Sequence, residues 1–435
     1  MAKTFKYGAG IWATKTGSSL AYNDQNDNYK PLPFSVTRDS IATRVNKQGL
    51  IEVVGHDKLR IDYKDSSNGV ALLEPSRTNS ITYSEDFTQW TNDRVTVSEN
   101  QIISPNGTLN ADLIAENSEN NIHRIYIGSI TLTDNVDYTI TVFAKKGNSK
   151  VIQLTPTSTS AIGSGRANFD LDNGVLGDVS GGTAEIKDYG NGWYRCSYSF
   201  EALATASSAI AINLVNDNLN ASRNITYTGN TNNNVYLWGA MLEQGSYATS
   251  YIPTSGQSGG VTRAADVANG AGNEQVFNDS EGVLFADIAA LTDDNTSRRI
   301  SISDGSSNPN NLVCVDMSEY TNTIIGRIRT SNSEVAFLEA TSQKQTQKNK
   351  IAVKYKVNDF ALWVNGFEID TDNNGAVPIG LNNVSFDRGN GSNDFYGKTK
   401  EIGYYDAVLT DAELEALTSY TSFTNMANEL NLTIK

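Results

Sequence analysis

The chain has 435 residues, of which 38% are hydrophobic and 19% charged, with 49 acidic against 34 basic side chains and a formal charge of −15. At roughly 100–200 residues per domain this length implies two or three domains, and the apolar share is sufficient for real cores. The acidic balance repels phosphate backbones, no stretch clusters Lys or Arg with aromatics, and no apolar run approaches ~18 residues, so neither nucleic-acid binding nor membrane insertion is expected.

Asn, Ser, Thr and Gly are abundant throughout, the composition of many short turns between short apolar runs, and the fold class expected is all-β. The two cysteines, Cys196 and Cys314, fall in different sections, which argues against a disulfide framework and against paired-cysteine metal sites. The start Met1-Ala2-Lys3-Thr4-Phe5-Lys6 is not followed by an apolar stretch, so a soluble chain without a visible export signal is expected.

In chain order, residues 1–79 lack sustained periodicity. They are rich in Asn around Tyr22–Asn28 and carry only short extended pieces at Ala42–Val45 and Leu59–Tyr63. Such a segment seldom makes its own core, and it is expected to lie irregularly against a partner chain or scaffold. Residues 80–254 read as strands: Tyr138–Ala144 alternates with period two, and Val151–Leu154, Trp193–Phe200 and Val235–Trp238 continue the pattern between Gly/Asn turns. A sandwich is expected there. Ser255–Gly260 has the composition of a flexible joint. Residues 261–422 are again β, with the strand Ile351–Val357 and a hairpin at Asn365-Gly366, a pair suited to two successive positive φ angles. One helix is expected at Thr410–Leu417, where Thr410 caps and Glu413 closes a capping box. The tail, 423–435, is expected to be a loose end or an inter-chain contact.

Several phrases carry a resemblance. Phe34–Asn46 with Gly49–Glu52, then Leu72-Leu73-Glu74-Pro75-Ser76-Arg77-Thr78-Asn79 followed by Tyr83–Phe87 and Trp90, resemble the entry segments of phage tail, fibre and head-decoration proteins. Leu237–Glu243, Ser250–Thr254 and Thr262–Asp266 are similar to the same group, whose middle module resembles a carbohydrate-binding jelly roll. Trp363–Gly366, Gly397–Tyr405 and Leu409–Glu413 resemble the laminin-G-like branch of the concanavalin A-like lectins and glucanases. The resemblance implies an N-terminal virion-attachment segment followed by two jelly-roll β-sandwich domains. It further implies a bacteriophage structural protein, in a fibre, tail or head decoration, made in the host bacterial cytoplasm and resident on the virion. Implied partners are other virion proteins, host-surface glycans and copies of itself, a homotrimer first and a dimer second. The alternatives are a virion polysaccharide depolymerase and a bacterial surface adhesin.

Within this frame the candidate residues are few. Sugar recognition calls for aromatic faces beside amides and carboxylates, and Trp90, Trp193, Tyr194 and Tyr247 are the candidates in the middle module, although Trp238 and Trp90 also read as packed. Asp370, Asp372 and Asn374 in Asp370–Gly375 match the first half of a calcium loop, but the twelfth position is Leu381, so either a lectin-type calcium or an ordinary polar turn fits. No cofactor is required. Relatives of the middle module often keep a structural calcium with an acidic residue ahead of the last strand, and Tyr236–Gly239 offers none. Glu368-Ile369-Asp370-Thr371-Asp372 is the one run comparable to a glucanase carboxylate pair, yet it abuts a turn, and no catalysis is expected. His56 and His123 read as structural. Glu74, Arg77 and Asn79 form an anchoring motif in which Glu74 and Arg77 either make a buried ion pair across Pro75 or lie on a plain surface turn.

Overall fold

A computed structural model describes residues 34–427 with their side chains, together with the backbone of the strands Thr4–Tyr7, Trp12–Lys15, Ser18–Asn23 and Asn28–Pro31 and of the helix Phe423–Glu429. The protein is all-β, and by internal contacts it divides into two units. The central unit comprises residues 40–54 and 76–264; the flanking unit comprises 1–39, 55–75 and 265–435. The names refer to sequence position only.

In the central unit two six-stranded antiparallel sheets make a sandwich. One runs in the order Thr91–Asp93, His123–Leu132, Ala206–Leu214, Val151–Pro156, Arg166–Asp170, Val175–Ser180, and the other in the order Val95–Ile103, Leu109–Glu116, Asn234–Gln244, Asp137–Lys146, Trp193–Glu201, Thr183–Asp188. Strand alternation sends Ile140, Val142 and Ala144 into the core between the sheets, with Ile152, Leu154, Ile212 and Leu237. The strand Asp137–Lys146 is buried on both faces, because a second apolar cluster sits on the outer side of its sheet. Phe143, Trp193, Trp238 and Tyr251 meet Val45 and Ile51 there. Val45 and Ile51 belong to the hairpin Ala42–Val45/Ile51–Val54, so this part of the segment expected to be irregular is instead a lid over the outer face. Burial of each large side chain in such a cluster stabilises by roughly 1.5–3 kcal/mol.

Ser255–Gly260 is no loose joint. Ser255 bridges to Tyr83, Gly256 N–H donates to the Thr82 carbonyl at 2.7 Å, and Val261–Arg263 then pairs with Arg77–Asn79. Gly260 has φ +84° and its Cα faces the Asn79 carbonyl so closely that a Cβ would lie 2.0 Å from the oxygen, which is why glycine stands there.

The flanking unit pairs an eight-stranded with a five-stranded sheet. The larger runs Phe367–Asp372, Phe360–Val364, Asn349–Lys356, Glu281–Ala290, Gly397–Tyr405, Val70–Leu73, Arg60–Asp62, with Thr4–Tyr7 also paired to Gly397–Tyr405. The smaller runs Ser333–Ala340, Ile324–Thr330, Leu312–Met317, Arg298–Ser303, Asn383–Ser385. Leu284, Val313, Val315, Ile328, Val353 and Leu362 fill the space between them. Residues 60–73, expected to be irregular, extend the larger sheet by two strands. The Asn365-Gly366 turn has φ values of 53° and 91°, the pattern its sequence predicts. The helix Asp411–Thr418 carries the Thr410–Glu413 capping box and buries Leu414 against Phe285 and Trp363. Phe423–Glu429, expected to be a loose end, is a short helix, while 430–435 and the Asn-rich residues 24–27 lie outside the described residues.

Candidate functional site

The four aromatic candidates do not form a platform. Trp193 is 2% exposed, and its indole N–H donates to the Ile103 carbonyl at 3.1 Å, so its ring belongs to the cluster under the hairpin lid. Trp90 is 4% exposed, packs on Phe87 and donates to the Tyr83 carbonyl at 2.9 Å. Both rings are therefore closed to a sugar face. Tyr194 is half-buried against the sandwich core and Gly174, and the Tyr247 ring lies under the Arg77 guanidinium at 5.4 Å. The strand pattern made Trp193 look like the start of a rim; what the pattern omits is the lid from residues 42–54.

The Asp370 segment is a strand, not a loop. Phe367–Asp372 is the edge of the eight-stranded sheet, as its place beside the turn predicts, and a register shift at Leu362/Trp363 breaks the alternation between Glu368 and Asp370. Asp370 uses one carboxylate oxygen to accept the Glu339 N–H at 2.9 Å and the other to accept the Thr371 N–H. Asp372 accepts the Asn374 N–H at 2.9 Å in a local turn. The three residues thus serve strand and turn geometry. Among the described residues no three Asp, Glu, His or Cys side chains converge into a metal-holding group.

Glu74, Arg77 and Asn79 of the expected anchoring motif are wired differently from either expectation. Glu74 does not pair with Arg77. It accepts from Arg60 Nη1 at 2.6 Å, while Arg60 Nη2 also reaches Asp266, and Asp266 Oδ1 accepts from Arg38 Nη1 at 2.7 Å. All four side chains are almost wholly buried in the flanking unit. Arg77 belongs to the central unit, with its Nε 3.7 Å from the buried Glu243. Pro75 separates the two because the chain passes from one unit to the other there, and Ala264-Ala265 is the return passage. Asn79 is fully buried and fully bonded: its amide donates to the Ala240 and Ile252 carbonyls and its oxygen accepts the Ile81 and Leu242 N–H groups. His123 is likewise structural, buried with Nδ1 at 2.9 Å from the Arg94 carbonyl, whereas His56 is an exposed side chain 3.5 Å from Asp39.

The residues that do come together lie on and beside the paired strands Val95–Ile103 and Leu109–Glu116 of the central unit. Glu85, Asp86, Glu99, Asn100, Asn110 and Asp112 line a cleft of about 220 Å³. Asp86 caps the short turn Phe87–Gln89 through the Thr88 N–H. Asp112, on the strand Leu109–Glu116, accepts the Phe87 N–H at 3.0 Å and the Asn100 N–H at 2.9 Å, and so fixes both walls. Asn100 sits at φ 57° where the strand Val95–Ile103 bulges, which brings Glu99 to the rim. Glu85 accepts from Tyr251 Oη and Asn110 Nδ2, each at 2.9 Å, leaving Asn110 Oδ1 buried without a partner. Burial pushes the carboxyls of Glu85 and Asp112 above the usual range, against the pull of those neutral donors. Among the described residues neither forms an ion pair. Sequence reasoning passed over Asp112, although a carboxylate within the apolar run Ala111-Asp112-Leu113-Ile114 is a readable signal for a buried polar role.

No family model and no curated protein matches the chain. Among solved structures it is similar to the CBM40 module of the Ruminococcus gnavus IT-sialidase, at 18% identity and a TM-score of 0.29 over 35% of this chain and 94% of that one. The same module bound to α2,3-sialyllactose gives 18% identity and 0.29 over 35% and 93%. Domains LG4-5 of the mouse laminin α1 chain give 8% identity and 0.16 over 81% and 89%. At such scores the sandwich assignment rests on the strand pairing described above.

Proposed function

We propose that this chain is a non-catalytic, glycan-binding attachment protein of a bacterial virus particle, and that the cleft of the central unit takes the sugar. The observation that carries the binding role is the spread of the cleft's oxygens. Six amide or carboxylate side chains wall about 220 Å³ without converging on one point. A single cation is best held by convergent oxygens, whereas a sugar presents several hydroxyl donors spaced around a ring. Carboxylate acceptors make the stronger, charge-assisted bonds to those hydroxyls. The Asp112 and Asp86 hydrogen bonds fix the acceptors before a ligand arrives, which lowers the entropic cost of binding. The virion setting is supported by the resemblance of the Leu72–Asn79, Leu237–Glu243, Ser250–Thr254 and Thr262–Asp266 phrases, within which Glu74, Asn79, Arg263 and Asp266 are buried.

A glycan array probed with the full chain, with and without EDTA, tests the binding role. Binding that Asp86→Ala and Asn110→Ala weaken at least tenfold is expected, and silence across the array sinks it. Loss of binding in EDTA would instead assign the sites to calcium. Antibodies to the chain should label virus particles from a culture carrying the sequence; their absence from particles removes the virion assignment. Release of reducing ends abolished by Glu368→Gln would replace attachment by depolymerisation. Assembly as a homotrimer is checked by light scattering.

A further inference from the structure

The outer face of the five-stranded sheet carries an unusual charge arrangement. In the strands Arg298–Ser303, Leu312–Met317, Ile324–Thr330 and Ser333–Ala340, residues Ile300, Val313, Val315, Ile324, Ile328 and Leu338 point into the core. Alternation therefore sends Arg299, Cys314, Asp316, Arg327, Arg329 and Phe337 to the other face. Register places Arg299 opposite Asp316, Arg327 opposite both Cys314 and Phe337, and Arg329 opposite Leu312.

Three carboxylates lie on this face, Asp316, Glu334 opposite Arg329 in register, and the exposed Glu339. Asp316, wholly buried, accepts from Arg299 Nε at 3.0 Å and Arg327 Nε at 2.9 Å, and Arg327 Nη1 meets Glu334 at 3.0 Å. Among the described residues the Arg329 side chain hydrogen-bonds only Asn332, through Nη2, and its Nε is buried with no partner. A fourth guanidinium arrives from the loop after Asn383–Ser385, where the Asn393 carbonyl accepts the Arg299 N–H at 2.8 Å, the Arg388 N–H donates to Ser392, and Gly389 lies against Ser303. Arg388 makes no side-chain hydrogen bond or ion pair among the described residues, and its Nε too is buried without a partner. Burial, followed by the like charges of Arg329, Arg299 and Arg327, holds its pKa below the ordinary arginine value, so its neighbours repel it rather than pair with it. Arg299 and Arg327 thus take Asp316 and Glu334, while Arg329 and Arg388 form no ion pair among the described residues, on a protein whose overall charge is −15. Beside them the Phe337 ring remains 41% exposed and stacks with Arg327 at 4.6 Å.

The geometry points to an anion-binding site here, formed by Arg388, Arg329 and Arg327 with Phe337 alongside, whose ligand is the acidic group of an anionic glycan. Planar guanidiniums bind a carboxylate or sulfate in paired hydrogen bonds, and an exposed aromatic ring takes the apolar face of a sugar. A long polyphosphate chain is a poorer fit, because its many charges would meet the acidic remainder of the surface. This site is separate from the cleft of the central unit and deepens the glycan reading by naming the sugar class.

Calorimetric titration of the full chain with a uronic-acid oligosaccharide, a sulfated oligosaccharide and a neutral oligosaccharide of equal length tests it. One or both acidic ligands should bind, and which of them does so identifies carboxylate or sulfate as the recognised group. Affinity should fall at least tenfold in Arg388→Ala, fall less in Arg388→Lys, and weaken several-fold between 50 and 500 mM salt at constant pH. Circular dichroism should show the variant folded, since Arg388 bonds to nothing it would leave unpaired. Arg388→Ala binding the acidic ligands as tightly as the parent overturns the site, as does equal binding of the neutral one. If Asp86→Ala abolishes acidic-glycan binding while Arg388→Ala does not, the cleft stands and this site falls; the reverse result removes the cleft and retains it.

Discussion

The flanking unit holds two groups of arginines that treat charge in opposite ways. Arg38 and Arg60 are buried with Glu74 and Asp266, two cations against two anions, and every guanidinium in the group reaches a carboxylate. On the outer face of the five-stranded sheet, Arg299 and Arg327 bond Asp316 and Glu334, while Arg329 and Arg388 form no ion pair among the described residues. A closed group needs nothing from outside, so it reads as architecture. An open group has bonding capacity that the chain does not fill, so it reads as a place for something else. Total charge conceals both, since a net −15 gives no hint of a basic face.

The strongest way to break this contrast is to open the closed group. Asp266→Ala takes the one carboxylate bonded to the buried Arg38 guanidinium and one of the two bonded to Arg60, and the Glu74 N–H loses its acceptor as well. Removing one partner of such a buried group costs about 3–5 kcal/mol. Urea denaturation should show that loss in the midpoint; a change below about 1 kcal/mol would mean that the group is solvated and not closed. A neutral analogue follows in the central unit. Asn79→Ala leaves two N–H groups and two carbonyls without their side-chain partner, and at ~1–3 kcal/mol for each buried group left unsatisfied, partly relieved by water, we expect a loss of about 2–3 kcal/mol.

Much of this was legible in the sequence, for identifiable reasons. Strands such as Asp137–Lys146 declare themselves by period two, the 365–366 turn by Asn-Gly, and the helix at 411–418 by Thr410 and Glu413, because each is decided by neighbours in sequence. The wiring of Glu74 was not, because the choice between Arg77, three residues away, and Arg60, 14 residues away, depends on which unit each one joins. Trp193 misled for the same reason: its exposure is decided by a hairpin from residues 42–54. Both candidate sites were hidden because they draw on separate segments: the cleft joins three stretches, and Arg388 comes to its face from a loop remote in sequence from Arg327.

The acidic cleft sharpens the comparison through pH. Glu85 is a buried carboxyl whose partners, Tyr251 and Asn110, are neutral, and burial raises its pKa above the ordinary value. A carboxyl raised on folding gives stability that is present below its unfolded pKa and lost as pH rises through the folded value. Glu85→Gln keeps an oxygen for Asn110 and offers an amide to the Tyr251 hydroxyl, without the charge. Its melting temperature should therefore match the parent near pH 4 and exceed it increasingly above the usual carboxylate range. An advantage that is constant across pH would show that Glu85 is not held in its raised state.

The smallest expected effect is also the most informative. Arg388→Ala removes a guanidinium that bonds to nothing among the described residues and stands among three like charges. Some packing of its aliphatic stem is lost, while repulsion with Arg329, Arg299 and Arg327 is relieved. The two effects oppose each other, and the net change should lie within the ~0.5 kcal/mol typical of surface substitutions, with either sign. Set beside Asp266→Ala, the pair distinguishes two uses of arginine within one unit. A loss of 2 kcal/mol or more in Arg388→Ala would move its guanidinium into the architecture and close the open group. A stable variant that no longer recognises acidic sugars would assign its surplus charge to binding alone.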